Sequence, residues 1–340
     1  MQLWAITVSL PTHIAICVNP MAGRDVRRLA ARATNMTHEA KRDMVARIAA
    51  GADAVGAGHI HVAREPFRIA SEALSLLPLR AKVHVVETPL RHDARDTEAA
   101  VQAFLEAGVT TIVTLGGDGT NRAVARIARD INLVPLSVGT NNVFPTLAEP
   151  TAAGMVAGLV AAGQFGPATE DCPVRTRCKL LHVRLTDGTD VGLVDAALLT
   201  GDVVGNMLPF DANRLRRILL TRSEPDSIGT SAIGGLIDVV DSEDDCGLLV
   251  ELGGNRGGRV VNAPISPGLF SHVEVVAAHR IPFDTPVLFP GPGVLALDGD
   301  RDHRLGNHDA AMLQIRRDGP WVIDVPAAMR LAVREGMMHQ

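Results

Sequence analysis

The chain has 340 residues, of which 46% are hydrophobic and 21% are charged, and its formal net charge is −5. This composition is typical of a globular protein with a sizeable core, and the length allows one large domain or two ordinary ones. The negative net charge and an aromatic content of only 3% argue against nucleic acid or an anionic membrane surface as the main partner.

The cysteines and the N-terminal residues bear on the cellular compartment. Cys17, Cys172, Cys178 and Cys246 form no CxxC pair, which favours reduced thiols and argues against a zinc site. The apolar start of the chain lacks a basic segment, so we expect no signal peptide, and no apolar stretch reaches membrane-spanning length. A cytoplasmic protein with no membrane partner is therefore expected.

Short apolar runs and amphipathic segments alternate over the first half of the chain, as in a parallel sheet whose strands are joined by helices. The runs that predict strands are IAICV at 14 to 18, HIHVA at 59 to 63, KVHVV at 82 to 86, VTTIVTL at 109 to 115 and LVPLSV at 133 to 138. The segments that predict helices are 38 to 50, 66 to 77, 93 to 107 and 151 to 163, with a further helix around Val26, Leu29 and Ala30. We therefore predict a doubly wound, Rossmann-like α/β domain over residues 1 to 165.

The stretch TLGGDGTN, residues 114 to 121, joins a predicted strand to an amphipathic helix. Gly116, Gly117 and Gly119 let the backbone turn sharply and let a ligand approach closely, and the helix that follows offers unpaired N–H groups to a phosphate. Asp118 would repel a bare phosphate, but it could bind Mg²⁺ or take a proton from an attacking hydroxyl. An ordinary strand-to-helix turn with Asp118 as its cap explains the spacing equally well.

Two more predicted strands end in turns of related composition, and parallel strands would bring all three turns to one edge of the sheet. NPMAGR at 19 to 24 follows the first strand, and GTNN at 139 to 142 follows the strand after the GGDG helix. The candidate ligand-binding residues of these two turns are Asn19, Gly23, Thr140, Asn141 and Asn142. Each turn could also be a plain loop, because asparagine-rich turns are common without a ligand.

From about residue 166 to residue 305 the pattern changes to short strands and glycine-containing turns, which predicts a mostly antiparallel β domain. DVGLVDAALL, residues 190 to 199, is predicted as one strand of a hairpin, GGNRGG at 253 to 258 as a turn, and helical material is expected near 211 to 236. Thr230 and Ser231 lie in this helical stretch, where they could form a second corner that faces a phosphate or a ribose.

Paired carboxylates follow a predicted strand late in the β domain. Asp298 and Asp300 alternate with a glycine in DGDRDH, residues 298 to 303, and could bind a metal ion or act as a base. A solvated hairpin turn explains the same pattern. His303 adjoins this turn, whereas the other histidines show no ligand spacing, so none is assigned to a metal. Residues 306 to 340 form a C-terminal segment that should return toward the first domain.

In this order the motifs resemble those of the superfamily of NAD kinases, diacylglycerol kinases and sphingosine kinases. Within it, the chain is most similar to the ATP-NAD kinase-like acetoin catabolism protein X group, over about residues 14 to 305. The segments that carry this likeness are VNPMAGRDVRRLAARA, LGGDGTNRAVA, VGTNNVFP, SEPDSIGTSAIGGL and NAPISPGL. The resemblance implies an α/β domain, a β-sandwich domain and an active site between them, with ATP and Mg²⁺ as cofactors.

The resemblance also implies roles for particular residues. Asp118 resembles the GGDG aspartate, which organises metal and phosphate and is a candidate for activating the acceptor hydroxyl. The phosphate-cradling turn of the family is matched by Gly116, Gly117, Gly119 and Thr120. Asp195, Thr230 and Ser231 lie where the family has its acceptor side. Asp298 and Asp300 stay candidate metal ligands because of their own spacing, since the aspartate at 300 matches neither family's turn.

Two departures from the family pattern concern the acceptor. Val194 and Asp195 stand where an NAD kinase has an Asn-Glu or Asn-Asp pair, so one amide is lost and one carboxylate is kept. The DGD turn at 298 to 300 replaces the DGQ turn of NAD kinases and the DGE turn of lipid kinases. The change at Val194 and Asp195 weakens the case for NAD as the acceptor and leaves the phosphotransfer apparatus intact.

Three functional hypotheses follow. The first is an ATP-dependent, Mg²⁺-assisted kinase that acts on a hydroxyl of a soluble acceptor, with NAD as the leading candidate and NADP as its product. The second is a lipid kinase, because GTNN resembles the GTxND turn of diacylglycerol kinases, although the sequence contains no basic amphipathic helix. The third is an inactive nucleotide-binding regulator of acetoin catabolism. We expect a homo-oligomer in each case.

Overall fold

The computed structural model describes residues 12 to 24, 32 to 33, 35 to 253 and 257 to 338. The helix predicted around Val26, Leu29 and Ala30 and the centre of the predicted GGNRGG turn lie outside these residues. Within the described ranges, no helix is both long enough and apolar enough to cross a membrane.

The described residues form the following elements. The helices are α1 His38–Ala54, α2 Ile69–Ser75, α3 Ala94–Glu106, α4 Asp118–Ile127, α5 Pro150–Ala161, α6 Gly229–Gly235 and α7 Val325–Arg334. The first nine strands are β1 His13–Val18, β2 His59–Ala63, β3 Lys82–Val86, β4 Thr111–Gly116, β5 Asn132–Ser137, β6 Arg175–Arg177, β7 Leu180–Arg184, β8 Thr189–Gly192 and β9 Asp195–Leu199. The later strands are β10 Leu215–Leu220, β11 Cys246–Leu252, β12 Arg259–Ser266, β13 Leu269–Pro282, β14 Val287–Pro290, β15 Gly293–Leu297, β16 Asp300–Leu305, β17 Ala310–Arg316 and β18 Trp321–Ile323.

The first sheet confirms the predicted doubly wound α/β fold. Its strand order is β3-β2-β1-β4-β5-β18-β6, and the first six of these strands run parallel. The chain winds from β1 outward to β3 and then resumes at β4 on the other side of β1, so the loops after β1 and β4 diverge to opposite faces. This reversal of the winding direction is called a topological switch point. The cleft that forms there is the usual ligand site of an open parallel sheet.

Alternation along β1 places apolar side chains on both faces of this sheet. Ile14 and Ile16 pack on one face with α1, α5 and α7, while Ala15 and Cys17 pack on the other with α3 and α4. The small residues of α5 allow it to cross α1 closely, since a Cβ atom added at Gly154 would lie 2.0 Å from the carbonyl oxygen of Ile48. Gly154 is therefore required by the packing of these two helices.

The second half of the chain forms two antiparallel sheets, as the sequence predicts. Their strand orders are β12-β13-β11-β10-β9-β15-β16 and β14-β17-β7-β8. Leu181 and Leu313 from the smaller sheet meet Leu219 and Leu295 from the larger one in a shared apolar core. This arrangement confirms the β-sandwich that the family resemblance implies.

In this half one local prediction is wrong and another is correct only in part. DVGLVDAALL is not one strand, because the chain leaves the smaller sheet after β8 and enters the larger one at β9. The expected helical material near 211 to 236 is present as a 3-10 helix at Ala212–Arg214 and as α6, but the strand β10 lies between them and pairs with β9 and β11 in the core. In both places the pairing of distant strands overrides the local pattern.

The division into residues 1 to 165, 166 to 305 and 306 to 340 stays a prediction. Some elements lie across those limits, because β6 and β18 are strands of the first sheet whereas β17 belongs to the sandwich. The helix α7 packs on the first domain, where Val325 and Ala328 join the core beside Ile14.

Four histidines that the sequence left without a role meet on one face of β1, β2 and β3. Nδ1 of His13 lies 3.0 Å from Nε2 of His61, and Nδ1 of His59 lies 2.7 Å from Nε2 of His84. Burial and the neighbouring imidazoles lower the pKa of His61 to about 4. The neutral form of His61 is thus favoured.

Acid should therefore destabilise this domain through His61. Its folded-state pKa of about 4 lies below the unfolded value of 6.5. The contribution of neutral His61 to the free energy of unfolding is therefore complete above pH 6.5 and is lost as the pH falls toward 4. We expect His61→Gln to remove up to about 3 kcal/mol of that pH dependence, measured as unfolding free energy in urea between pH 7.5 and pH 4. A His308→Gln variant, altered in an exposed turn, is the control, and an unchanged slope in His61→Gln would contradict the assignment.

Candidate functional site

Hydrogen bonds join the first two glycine corners at the carboxyl edge of the parallel sheet. Nδ2 of Asn19, after β1, donates to Oγ1 of Thr120 in α4 over 2.8 Å. The side-chain oxygen of Asn19 also accepts from the backbone N–H groups of Met21 and Ala22, which closes the NPMAG turn. Asn19 therefore shapes its own loop and fixes it to the GGDGT turn.

Asn142 joins the GGDGT corner to the GTNN corner. A Cβ atom added at Gly117 would lie 2.7 Å from Oδ1 of Asn142, and one added at Gly139 would lie 2.3 Å from the same atom. Nδ2 of Asn142 donates to Oγ of Ser137 over 2.7 Å. The two glycines are needed because this carboxamide lies between the two loops.

The other glycines are also placed by close contacts. Gly23 has a φ of +69°, and an added Cβ atom would lie 2.2 Å from the carbonyl oxygen of Val138. Gly116 lies against the side chain of Thr120. A Cβ atom on Gly119 would lie 2.9 Å from a carboxylate oxygen of Asp300, so the helix start and the DGD turn touch here.

A buried lysine that was not predicted from the sequence, Lys41, donates hydrogen bonds to the backbone of the first glycine corner. Lys41 of α1 is fully buried, and burial lowers its pKa to about 8. Its ammonium group donates to the carbonyl oxygens of Asn19, Pro20 and Ala22 over 3.0, 2.7 and 2.8 Å. Because all three carbonyls point at Lys41, the NPMAG turn is fixed in one conformation.

Asp118 lies at the N-terminus of α4, where no side chain caps the helix. Its carboxylate accepts hydrogen bonds from the backbone N–H groups of Val143, at 3.1 and 3.2 Å, and of Phe144, at 2.9 Å. Burial and the nearby carboxylates of Asp298 and Asp195 raise its pKa to about 7. Asp118 can therefore exchange a proton near neutral pH.

Asp298 explains why the chain breaks between β8 and β9. Its carboxylate accepts from the backbone N–H groups of Leu193, Val194 and Asp195 over 2.7 to 3.2 Å, so these groups are not used in a strand ladder. Burial raises the pKa of Asp298. The side chain of Val194 then packs in the core of the first domain, while Asp195 faces the interdomain region.

Arg122 connects α4 with the DGD turn. Its guanidinium group donates to the carbonyl oxygen of Leu297 over 2.9 Å and to the carboxylates of Asp300 and Asp302 over 3.0 Å each. The side chain is only 2% exposed. Arg122 thereby holds Asp300 beside the glycine turn and fixes the sandwich against the first domain.

The acceptor-side residues separate into two groups. Oγ1 of Thr230 donates to Oδ2 of Asp195 over 2.6 Å, and burial together with Asp298 raises the pKa of Asp195 to about 7. Oδ1 of Asp195 is buried and has no hydrogen-bond partner among the described residues. Ser231 is turned away, since its hydroxyl bonds to the backbone of Arg222 and Glu224.

Two cavities meet at Asp118, Asn141 and Asp298. The larger has a volume of about 590 Å³ and is lined by all three glycine corners. The smaller has a volume of about 70 Å³ and extends from Asp118 past Asp195 and Thr230 into the sandwich. The arrangement provides one compartment on each side of Asp118.

Two comparisons with protein families cover most of the chain. Residues 14 to 165 match the ATP-NAD kinase N-terminal domain, and residues 179 to 318 match the acetoin catabolism protein X C-terminal domain. The chain is 31% identical over 343 residues to acetoin catabolism protein X of Cupriavidus necator, with 96% of this chain and 94% of that protein covered. This chain belongs to the acetoin catabolism protein X family.

The fold of this acetoin catabolism protein X family member also resembles a solved kinase structure. Yeast NADH kinase complexed with NADH aligns with a TM-score of 0.53 and 15% identity, covering 95% of this chain and 86% of that one. At this level of identity the likeness concerns the fold. The predicted family resemblance and fold class are thus both confirmed.

The site of this family member suits a magnesium ion that is bound mainly by nucleotide phosphates. Within the described ranges, no three histidine, cysteine or carboxylate side chains form a metal cage. Asp298 is held by backbone N–H groups and Asp300 by Arg122, whereas the mutually repelling carboxylates of Asp118, Asp195 and Asp298 form an acidic cluster. Mg²⁺ commonly binds to one or two carboxylates plus substrate phosphates, which fits this donor set.

The remaining predicted residues have clear surroundings. Oδ1 of Asn141 accepts from the hydroxyl of Ser266 over 3.0 Å, which links the GTNN turn to the sandwich. Oγ1 of Thr140 is buried with no partner in the part of the chain that the structure describes. His303 lies elsewhere, paired with Asp190 over 2.9 Å. Arg122 was not predicted as a site residue. The signal that could have indicated it is its position four residues after Asp118, which places both side chains on the same face of α4.

Proposed function

We propose that this chain is an ATP-dependent, Mg²⁺-assisted phosphotransferase that acts on a hydroxyl group of a soluble acceptor. The observation that carries the proposal is the position of Asp118, between a cleft lined by three glycine corners and a second compartment that contains Asp195. A kinase needs its two substrates on opposite sides of the transferred phosphoryl group, in line with each other. The match to the ATP-NAD kinase N-terminal domain supports the same reaction class.

The chain's own residues supply binding and proton transfer. The uncapped N-terminus of α4 and the backbone around Gly117 and Gly119 face the cleft, where they would bind phosphate oxygens together with Gly23, Thr120, Thr140, Asn141 and Asn142. Asp118, Asp298 and Asp300 would hold Mg²⁺, and the ion would supply positive charge to the phosphates. Asp118 would take the proton of the attacking hydroxyl, for which a pKa of about 7 is well placed.

A coupled assay of ADP release tests the proposal. With ATP and Mg²⁺ present, we expect a soluble hydroxyl acceptor to raise ADP release at least about tenfold above the rate without acceptor. NAD is tested first because it is the leading candidate from the family, followed by NADH, small polyols and diacylglycerol vesicles. Reactions without Mg²⁺ or without acceptor are the controls, and ADP release only with vesicles would favour the lipid kinase instead.

A nucleotide-binding regulator without turnover is the second candidate. It is favoured by the contacts of Asp118, whose two oxygens both accept from backbone N–H groups of the GTNN loop. In that role Asp118 would fix the loop and transfer no proton. ATP binding in calorimetry combined with no ADP release from any acceptor would establish it. A cytoplasmic location and a homo-oligomeric state are part of the proposal in either case.

A further inference from the structure

The larger cleft extends from the glycine corners toward the loops that follow β2 and β3. On the side of β5 it adjoins the sandwich, where Oγ of Ser266 donates to Oδ1 of Asn141 over 3.0 Å. On the other side its lining continues to Phe67 in the loop after β2 and to Leu90 in the loop after β3. A ligand whose phosphates lie at the glycine corners can therefore extend toward these two loops.

The strand order sets the distance between the two ends of this cleft. In the order β3-β2-β1-β4, the strand β2 lies two positions away from β4, whose end carries the GGDGT turn. Neighbouring strands lie about 4.8 Å apart, so the loop after β2 begins about 10 Å from that turn. A nucleoside triphosphate with its terminal phosphate at the turn has its base at such a distance, because two further phosphates and the ribose lie between them.

Phe67 is an exposed aromatic side chain in a chain with few aromatic residues. The sequence contains eight phenylalanines and no tyrosine. All eight phenylalanines lie within the described residues, and only Phe67 and Phe270 are exposed, by 44% and 59%. Phe67 lines the larger cleft, whereas Phe270 belongs to β13 of the sandwich. A planar base that covered Phe67 would remove the apolar surface of its ring from water.

Contacts with neighbouring residues hold Phe67 in position. Oε2 of Glu65 accepts from the backbone N–H group of Phe67 over 2.8 Å, and Oε1 accepts from that of Ala70 over 3.2 Å. The imidazole ring of His38, at the start of α1, lies 4.3 Å from the phenyl ring between centroids. Arg68 has a φ of 53°, which is unfavourable for a residue other than glycine. A ring held in this way can stack on a ligand with little loss of side-chain entropy.

We propose that Phe67 stacks on the base of the donor nucleotide, so that a nucleoside triphosphate is the phosphoryl donor and inorganic polyphosphate is a poor one. This inference rests on the proposed phosphotransfer, in which the larger cleft holds the donor. Every base has an aromatic face, so a phenyl ring binds it without hydrogen bonds. Phe67 thereby adds binding free energy at the end of the cleft that is remote from the transferred phosphoryl group.

Binding is measured by calorimetry on the full chain, with Mg²⁺ and without an acceptor. The probes are ADP and inorganic pyrophosphate, which contain the same number of phosphates and differ by the nucleoside. We expect Phe67→Ala to lower the affinity for ADP about tenfold, because the stacked ring is lost. The affinity for pyrophosphate should stay unchanged, because the glycine corners that bind phosphate are intact.

Two further variants test whether the aromatic ring itself is responsible. Phe67→Trp keeps an aromatic face and should bind ADP at least as tightly as the wild type. Its additional tryptophan fluorescence should change with ADP and stay constant with pyrophosphate, which reports stacking independently of turnover. Phe270→Ala is the matched control, because it truncates the other exposed phenylalanine outside the cleft, and it should leave both affinities unchanged.

Turnover is measured as phosphorylated acceptor, with ATP or inorganic tripolyphosphate as the donor. Phe67→Ala should raise KM for ATP about tenfold and leave kcat nearly unchanged, since the ring lies away from the reacting atoms. In the wild type, KM for tripolyphosphate should exceed KM for ATP at least about tenfold, and Phe67→Ala should not raise it further.

The outcomes separate the inference from the proposed function. The assignment of Phe67 is overturned if Phe67→Ala keeps the wild-type affinity for ADP, or if it lowers the affinities for ADP and pyrophosphate equally, even when ATP is consumed. Equal use of tripolyphosphate and ATP by the wild type would also overturn it. If the loss is specific to ADP while no acceptor is phosphorylated, the base site is supported and the phosphotransfer is contradicted.

Discussion

Asp118→Asn should reduce ADP release by about a hundredfold to ten-thousandfold, because an amide cannot accept the proton of the attacking hydroxyl. The amide oxygen can still accept from the backbone N–H groups of Val143 and Phe144, so the GTNN loop should keep its position. The measurement is kcat in the coupled assay, with the acceptor that gives the highest rate. Asp187→Asn, which changes an exposed aspartate in a hairpin turn, is the matched control and should keep the wild-type rate.

The stability of the same variant distinguishes lost chemistry from lost folding. The folded-state pKa of Asp118, about 7, lies above its ordinary value of 3.8, so the folded state holds an extra proton between these values. The stabilisation of the folded state by this proton on Asp118 is complete below pH 3.8 and is lost as the pH rises through 7. Asparagine carries no charge to lose, so at pH 8 the variant should unfold at or above the wild-type temperature. A lower unfolding temperature together with inactivity would assign Asp118 a structural role.

Lys41→Met should raise KM for ATP about tenfold and lower the free energy of unfolding by about 3 kcal/mol. The methionine fills the space but leaves the carbonyl oxygens of Asn19, Pro20 and Ala22 without their common donor. The NPMAG turn then loses its fixed conformation, and with it the position of Asn19 against Thr120. Since Lys41 acts only through this turn, kcat at saturating ATP should change little.

Lys179 provides a matched control in the other domain. It is buried as well, and its ammonium group donates to the carbonyl oxygens of Thr221, Asp241 and Cys246 over 2.9, 2.7 and 2.7 Å. Lys179→Met should therefore lower stability by a similar amount and leave KM for ATP unchanged. If the two variants raise KM equally, the effect of Lys41 is one of general stability, and its role in positioning the nucleotide loop is wrong.

Much of the architecture follows from local patterns in the sequence. The predicted strands at 59 to 63 and 82 to 86 coincide with β2 and β3, and the alternation of strands and helices predicts the parallel sheet. A buried strand and an amphipathic helix each require a pattern within a few neighbouring residues, which the sequence displays directly. The same holds for the glycine corner around Asp118, because a sharp strand-to-helix turn restricts residue types locally.

Contacts between residues far apart in the chain were not predictable in this way. The break between β8 and β9 depends on the carboxylate of Asp298, more than a hundred positions away from Val194. Lys41 shows no special pattern within α1, and His13, His59 and His84 become neighbours only when three strands pair. No local pattern encodes such partners, because each depends on the register of the sheet and on how the two domains meet.

Local patterns in the sequence specify the fold class, the family and the glycine corners that present Asp118. The division of the site into a large cleft on one side of Asp118 and a small cavity next to Asp195 on the other became visible only in the folded chain. Turns are specified by adjacent residues, whereas the size and polarity of a cavity result from side chains that separate elements of both domains bring together.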